Sequence, residues 1–367
     1  MTQDALFASL SRHPDVEADN LFAYDSADAL ILDEAGDLSG LGVTVVGDRY
    51  GALTLGALVR GARHVRVHQD SIVGERALLG NAGHAGRSEF EQLPLASSLV
   101  SDARLVLVQL PRSLNALEEI AELIAAHAHP GVRVVAGGRV KHMSLGMNDV
   151  LARSFDTVQA SRGVRKARVL HASGPRAAAP TWPRRETHDA GGTQVTVVAH
   201  GAAFAGASID IGAQTLIECF SQMPEAAEVI DLACGTGVLG ATLALQRPQL
   251  LVHAFDASAA AVDSARASAE SNGLAERMSV TRADGLEGVA SGSAQLVLLN
   301  PPFHIGATVH TGIAERLIAD AMRVLAPGGE LWCVWNSHLG YRGLLDSLGQ
   351  TRQIVRNSKF TVTATRA

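Results

Sequence analysis

Glu228-Val229-Ile230-Asp231-Leu232-Ala233-Cys234-Gly235-Thr236-Gly237-Val238-Leu239-Gly240 is the stretch that decides the fold. A strand-like run ends on an acid, and a literal G-x-G-x-x-G turn then leads into an apolar helical segment. A second strand, Leu251-Val252-His253-Ala254-Phe255, ends at Asp256. Further on, the pattern predicts a helix over 258–271 stopped by Asn272-Gly273 and a third strand over 278–281. A fourth strand, Ala294-Gln295-Leu296-Val297-Leu298-Leu299, stops at Asn300. A helix over 314–325, the turn Pro327-Gly328-Gly329 and a fifth strand over 330–335 follow. A last hairpin pairs 353–355 with 359–363 around Asn357-Ser358, and a helix over 212–221 precedes the first strand.

The first half of the chain repeats this order. Val43-Thr44-Val45-Val46 runs into Gly47, Gly51 and Gly56, and His64-Val65-Arg66-Val67-His68-Gln69 ends at Asp70, where the second half has Asp256. Ala103-Arg104-Leu105-Val106-Leu107-Val108 precedes Gln109-Leu110-Pro111-Arg112, as the fourth strand precedes Asn300-Pro301-Pro302-Phe303. Strands alternating with helices at this spacing give the α/β class, here two tandem Rossmann-like domains. We place them at 1–185 and 186–367, with the connecting segment near 174–192, where Gly174-Pro175 and Thr181-Trp182-Pro183 fall.

The 367 residues are too many for one ordinary core, and 47% hydrophobic content with 19% charged residues is that of a globular chain. Thirty-one basic against 37 acidic side chains leave −6, so a nucleic-acid partner has to be met by a local basic surface. One such surface stands out: 153–185 holds seven Arg and one Lys against the single acid Asp156. Three cysteines, Cys219, Cys234 and Cys333, form no C-x-x-C pair, which excludes a disulfide framework and a thiolate zinc site. The start carries no basic segment followed by an apolar block, and no apolar run approaches the ~20 residues of a membrane span. A cytoplasmic monomer without membrane contact is expected. His64/His68 lie on a strand and His127/His129 beside a Pro130 turn, so no metal is expected.

Taken alone, the glycine turn with Asp256 also fits a nicotinamide-dependent oxidoreductase, the acid receiving a ribose diol. Two details favour S-adenosyl-L-methionine: the acid Asp231 ending the first strand, and the turn from Asp231 through Ala233 and Gly235 to Gly237, which resembles the methyltransferase pattern D-x-G-x-G-x-G. Asn300-Pro301-Pro302-Phe303, at the carboxyl end of the fourth strand, resembles the N-P-P-F/Y motif of methyltransferases that act on exocyclic amines of nucleobases. The chemistry suits those residues. Such an amine is a poor nucleophile because its lone pair is delocalised into the ring. An Asn300 oxygen and the Pro301 carbonyl accepting its two N–H bonds would favour a pyramidal nitrogen, while Phe303 stacks on the flipped base. Proline at 301 and 302 fixes φ and offers no competing N–H. Asp284 is placed to accept from an adenine amine, and Ala257 follows Asp256 in the same turn.

With His304 the tetrapeptide becomes N-P-P-F-H, and over nearly its whole length the chain resembles the guanine-N2 methyltransferases of ribosomal RNA, both the type called methyltransferase C, which acts on the small subunit, and the type called methyltransferase G, which acts on the large one. Phe204, Ile209-Asp210-Ile211-Gly212, Asp256-Ala257-Ser258 and Lys359-Phe360 carry the resemblance in the second half. Gly137-Gly138-Arg139-Val140-Lys141-His142 and 160–168 carry it in the first. The resemblance implies a catalytic C-terminal domain and a degenerate N-terminal duplicate that binds no cofactor. It also implies Asp210 and Gly212 beside the methionine end of the ligand, with His304 lining the base pocket. The large-subunit RNA is preferred as substrate, with Arg162, Arg165, Lys166 and Arg168 as phosphate contacts. The chain departs from the family pattern at Ala233, where a glycine is usual, and at Ala205-Gly206, where Ser-Arg is usual. An oxidoreductase and a non-catalytic RNA-binding assembly protein are the competing readings.

Overall fold

The computed structural model describes residues 2–18, 20–176, 178–302 and 310–367. It divides into two compact units, Met1–Trp182 and Pro183–Ala367. In the first, β1 (Gly42–Val46), β2 (Arg63–His68), β3 (Phe90–Gln92), β4 (Leu105–Gln109), β5 (Arg133–Arg139), β6 (Phe155–Ala160) and β7 (Ala167–Pro175) form one sheet in the order β3-β2-β1-β4-β5-β7-β6. The second unit opens with the hairpin of β8 (Arg184–Ala190) and β9 (Thr193–Ala199). Its main sheet is built from β10 (Glu228–Leu232), β11 (Leu251–Asp256), β12 (Met278–Arg282), β13 (Ala294–Leu299), β14 (Leu325–Asn336), β15 (Gln350–Arg356) and β16 (Phe360–Arg366). Their order, β12-β11-β10-β13-β14-β16-β15, is that of the first sheet strand for strand.

The central strands of the second sheet are parallel and buried on both faces: Val229 to Leu232 and Leu296 to Leu299 are all buried, which is why they read as continuous apolar runs. β16 is antiparallel to both β14 and β15 and lies between them. The dinucleotide fold runs 3-2-1-4-5-6. The reversed strand inserted after the fifth therefore separates both sheets from that of a nicotinamide dehydrogenase.

Several elements differ from their expected bounds. The helix before β10 is Ile211–Ile217, followed by a 3-10 turn at Phe220–Gln222, and the helix before β14 is His310–Val324. The last hairpin is longer than predicted, its turn closed by Asn357 Oδ1 accepting from the N–H groups of Lys359 and Phe360. The division between the units, at Trp182/Pro183, falls within the segment expected to connect the domains, whose later part also holds β8.

The hairpin is tied down in a way no periodicity reveals. The Thr196, Val198 and His200 N–H groups donate to Asn272 Oδ1, Ser268 Oγ and Ser264 Oγ, at 2.8, 2.9 and 2.9 Å. Four helical residues rise about 6 Å and two strand residues about 6.6 Å, so side chains four apart along the helix Ala259–Ser271 and its C-cap Asn272 match alternate N–H groups of β9 and the residue that follows it. The exposed edge of the hairpin is thereby closed.

Candidate active site

The site forms where β10 and β13 adjoin and the chain turns away in opposite directions, at the carboxyl ends of the strands. Ala233 and Gly237 sit at φ +56° and +74° in the turn after β10. At Gly237 a Cβ would stand 3.0 Å from Ala265 Cβ as well as 2.7 Å from Met278 Cε, and the left-handed φ strains any other residue, so glycine is favoured there. Ala233 takes the left-handed conformation without that freedom, as do Ala205 and Gly206 of the second departure at φ +63° and +60°, so each departure from the family pattern places an alanine in a glycine-type conformation.

Asp256, at the end of β11, accepts N–H bonds from Gly235 at Oδ2 and Ser258 at Oδ1, both 2.9 Å. Its carboxylate bridges the two turns. Among the described residues, nothing lies within 4 Å of where a Gly235 side chain would point. Ala257 is partly accessible beside it, and the Ala283 N–H donates to the Asp256 carbonyl, which brings the Asp284 turn to the same crevice. The Asp284 carboxylate is gripped by both guanidinium nitrogens of Arg316, at 2.7 and 2.6 Å, a partner the linear pattern gave no hint of.

Asp231 is fully buried. Its Oδ2 accepts from the Gly240 N–H at 2.9 Å, and its Oδ1 has no partner among the described residues. Burial, opposed by the Gly240 hydrogen bond and reinforced by the charge of Asp256, pushes its pKa up to about 7. It anchors the first turn of the helix Val238–Gln246.

Across the crevice, Asp210 caps the helix Ile211–Ile217 through the Ala213 N–H. Asn300 follows β13, and its Nδ2 donates to Asp210 Oδ1 at 3.0 Å. A carboxylate only accepts, so the amide nitrogen must face it and Oδ1 must face away. Asn300 Oδ1 is buried and has no hydrogen-bond partner among the described residues. A Cβ on Gly212 would stand 3.0 Å from Asp210, 3.1 Å from the Phe360 ring and 3.4 Å from Asn300 Oδ1, so these four residues converge on one point. Phe360 joins the site through β16, a contribution that strand pairing and not sequence proximity provides. Pro301 is buried and Pro302 half-buried; Phe303 and His304 lie outside the described residues.

The register also shows what became of this site in the first unit. Leu232 pairs with Phe255 and Val46 with His68, so the residue opposite Asp256 is Gln69 and not Asp70. The Gln69 amide donates to the carbonyls of Asp48 and Arg49 and fills the turn where the second unit leaves space. Asp48 is buried there, accepting from the N–H groups of Gly51 and Thr54. Gln109 and Leu110 take the places of Asn300 and Pro301, Leu110 buried against Gly138. A groove of about 1530 Å³ in this unit opens at the opposite end of the sheet, beside Gly42, Arg63 and Leu105, away from the carboxyl ends where ligands of such sheets bind.

Of the expected RNA contacts, Arg162, Arg165, Lys166 and Arg168 are all exposed. Arg153 pairs with Glu118 and Arg176 with Asp156, whereas among the described residues no carboxylate pairs with those four. Also among the described residues, no group of three or more His, Cys, Asp or Glu is gathered as metal ligands would be, the three cysteines are buried and free, and no helix is long and apolar enough to cross a membrane.

Comparison with known proteins agrees with this geometry. The Methyltransferase small domain model matches residues 194–364 and the RLMG N-terminal domain model residues 1–176. Ribosomal RNA large subunit methyltransferase G of Pseudomonas paraeruginosa is 36% identical over 364 residues, covering 96% of both chains. The protein of that name from Streptomyces avermitilis is 33% identical, covering 96% of this chain and 95% of its own. The chain belongs to the ribosomal RNA large subunit methyltransferase G family. A 16S rRNA N2 methyltransferase (RsmC) of T. thermophilus, solved in complex with AdoMet and guanosine, shares the fold across 100% of both chains, with TM-score 0.78 at 20% identity. The family member therefore consists of two Rossmann-like methyltransferase domains in tandem, and the oxidoreductase reading falls with the strand order and the family.

Proposed function

We propose that the protein transfers the methyl group of S-adenosyl-L-methionine to the exocyclic N2 amine of a guanine in large-subunit ribosomal RNA. The observation that carries this is Asn300 Oδ1, a buried acceptor with no partner among the described residues, aimed away from the carboxylate that holds its amide. A buried orphan acceptor costs stability unless something donates to it, and an amine N–H does. The relatives' shared name and the AdoMet and guanosine held by the structural neighbour support the same reading.

The residues present fit the methyl donor: the Asp256 carboxylate between the two turns, the space that the described residues leave open at Gly235, and the polar pair of Asp210 and Gly212. When bound, S-adenosyl-L-methionine supplies an electrophilic methyl group on a sulfonium. Asp256 takes the ribose diol, Ala257 and Asp284 border the adenine, and Asp231, Ala233 and Gly237 shape the turn. Asp210 and Gly212 border the methionine end. Asn300 Oδ1 and the Pro301 carbonyl accept the two N–H bonds of the guanine amine and direct its lone pair outward, with Phe303 stacking on the base and His304 beside it. The methylated amine sheds its extra proton readily, so no dedicated base is required.

Arg162, Arg165, Lys166 and Arg168 supply phosphate contacts, and the enzyme acts as a monomer in the cytoplasm. The decisive experiment is mass spectrometry of ribosomal nucleosides from cells lacking the protein. Loss of one N2-methylguanosine from the large-subunit RNA, restored by the wild-type gene and not by Asn300→Ala, is the expected result. An unchanged nucleoside profile refutes it.

A further inference from the structure

The connection from β12 to β13 lacks the element that the other parallel crossovers of this sheet carry. The helices Val238–Gln246, Ala259–Ser271 and His310–Val324 join β10 to β11, β11 to β12 and β13 to β14, whereas 283–293 holds neither helix nor strand. A loop has no hydrogen-bond ladder of its own, so its position comes from what grips it. Here the grip is one face of the helix His310–Val324. Arg316, Asp320 and Arg323, at i, i+4 and i+7, all reach into 284–291. Asp320 Oδ2 accepts from the Leu286 N–H, and the Arg323 guanidinium donates to the carbonyls of Leu286 and Val289 at 2.9 and 2.8 Å. Leu286 is buried in the core that also holds Leu317 and Ala321. A Cβ on Gly285, at φ +64°, would stand 2.6 Å from Asp320 Oδ2, so the turn lies directly against the helix.

Arg316 completes the grip at the first acid of the loop. Its Nη1 and Nη2 meet Asp284 Oδ2 and Oδ1 at 2.7 and 2.6 Å, a parallel fork that fixes the carboxylate in orientation as well as in place. The Asp284 side chain is 14% exposed against 49% for Arg316, so the carboxylate is the inner partner of the pair. An ionised carboxylate has about four acceptor positions, of which the fork occupies two. Among the described residues no other group donates to it.

We propose that Arg316 is a positioning residue for purine recognition: it locks the Asp284 carboxylate as the acceptor of the adenine 6-amino group and thereby makes the cofactor site select a 6-amino over a 6-oxo purine. A carboxylate only accepts. Adenine offers an N–H at C6, whereas a 6-oxo purine places a carbonyl oxygen there and carries its N–H on the next ring atom. A carboxylate free to rotate follows that N–H. One held by a fork does not, and it meets the carbonyl oxygen acceptor to acceptor, which is a penalty against the wrong ligand. The proposal rests on the reading that this site takes S-adenosyl-L-methionine and that Asp284 borders its adenine.

Calorimetric titration of the full-length protein with S-adenosyl-L-homocysteine and with S-inosyl-L-homocysteine, its 6-oxo analogue, tests this. Wild type should bind the adenosyl compound about a hundredfold more tightly, and Arg316→Gln should cut that ratio to about tenfold or less. Arg316→Lys, which keeps the charge without the fork, should fall between the two. Arg323→Gln is the control. It loosens the same loop at Leu286 and Val289, so it should lower the melting temperature and leave the ratio within about twofold of wild type. A ratio unchanged in the Arg316 variants, or lowered as much by Arg323→Gln, overturns the role of Arg316, as does a wild type that binds both compounds alike. A wild type that binds neither overturns the reading of the cofactor site together with this proposal.

Discussion

The Asn300 amide donates a 3.0 Å hydrogen bond to the carboxylate of Asp210, ninety residues earlier in the chain. The same carboxylate caps the helix Ile211–Ile217, so it is held from one side while it fixes the amide on the other. The arrangement presents a rigid acceptor in place of a rotating amide, which is the form of preorganisation that methyl transfer to a poor nucleophile requires.

Removing that acceptor separates chemistry from binding. Asn300→Ala should lower turnover by about two to three orders of magnitude and leave S-adenosyl-L-methionine affinity nearly unchanged. Steady-state rates beside calorimetric titration check it, and turnover within tenfold of wild type would remove Asn300 from the mechanism.

Asp210→Asn tests orientation. The asparagine still offers an oxygen to the Ala213 N–H, so the helix cap and the melting temperature should survive. It also allows the Asn300 amide to turn over, and the rate should fall about ten- to a hundredfold. Loss of stability in parallel with rate would show the residue to be structural only.

Asp256→Ala acts on binding. The ribose contact proposed for it is charge-assisted, and its loss should weaken S-adenosyl-L-methionine binding by about 1.5–3 kcal/mol, with turnover at saturating cofactor much less affected. Equal cofactor affinity in a titration would misplace the site.

Ala233→Gly should stabilise the second domain. A left-handed alanine costs about 1–2 kcal/mol, and the extra freedom of glycine in the unfolded chain returns about 0.4–1 kcal/mol of that. The net gain, about 0.5–1 kcal/mol, raises the melting temperature by roughly 1–4 °C. A lower melting temperature would mean that packing of the methyl group outweighs the backbone strain.

Asp231 makes stability depend on pH. Its carboxyl titrates at about 7 in the fold against an ordinary 3.8, so the folded state holds a proton that the unfolded chain has lost. Its contribution is fully present below about pH 4 and is lost as pH rises towards and through 7. Asp231→Asn keeps an oxygen for the Gly240 N–H and removes the buried charge. The melting temperature of the variant relative to wild type should therefore rise from pH 4 to about pH 7 and level off above it, and a flat difference across that range would contradict the assignment.

The amino-acid sequence by itself determined the two-fold repeat, the alternation of strands and helices, the glycine turn between Asp231 and Gly237 and the position of Asn300 after β13. These are local matters: a buried parallel strand is a run of apolar residues, and a tight strand-to-helix turn needs its glycines wherever the strand ends. Tertiary structure alone decided which side chains meet. Asp210 reaches Asn300, Phe360 closes on Gly212 and Arg316 holds Asp284 because separate elements converge at one edge of the sheet. Gln69, not Asp70, stands opposite the position of Asp256 because the connection from β1 to its partner is one residue shorter than that from β10, a shift that spacing along one chain does not reveal. Ser264, Ser268 and Asn272 look like any polar helix face, and only the hairpin packed beside them shows that they complete the edge of a strand. Register and loop length convert a linear pattern into contacts, and both are set by how whole elements pack.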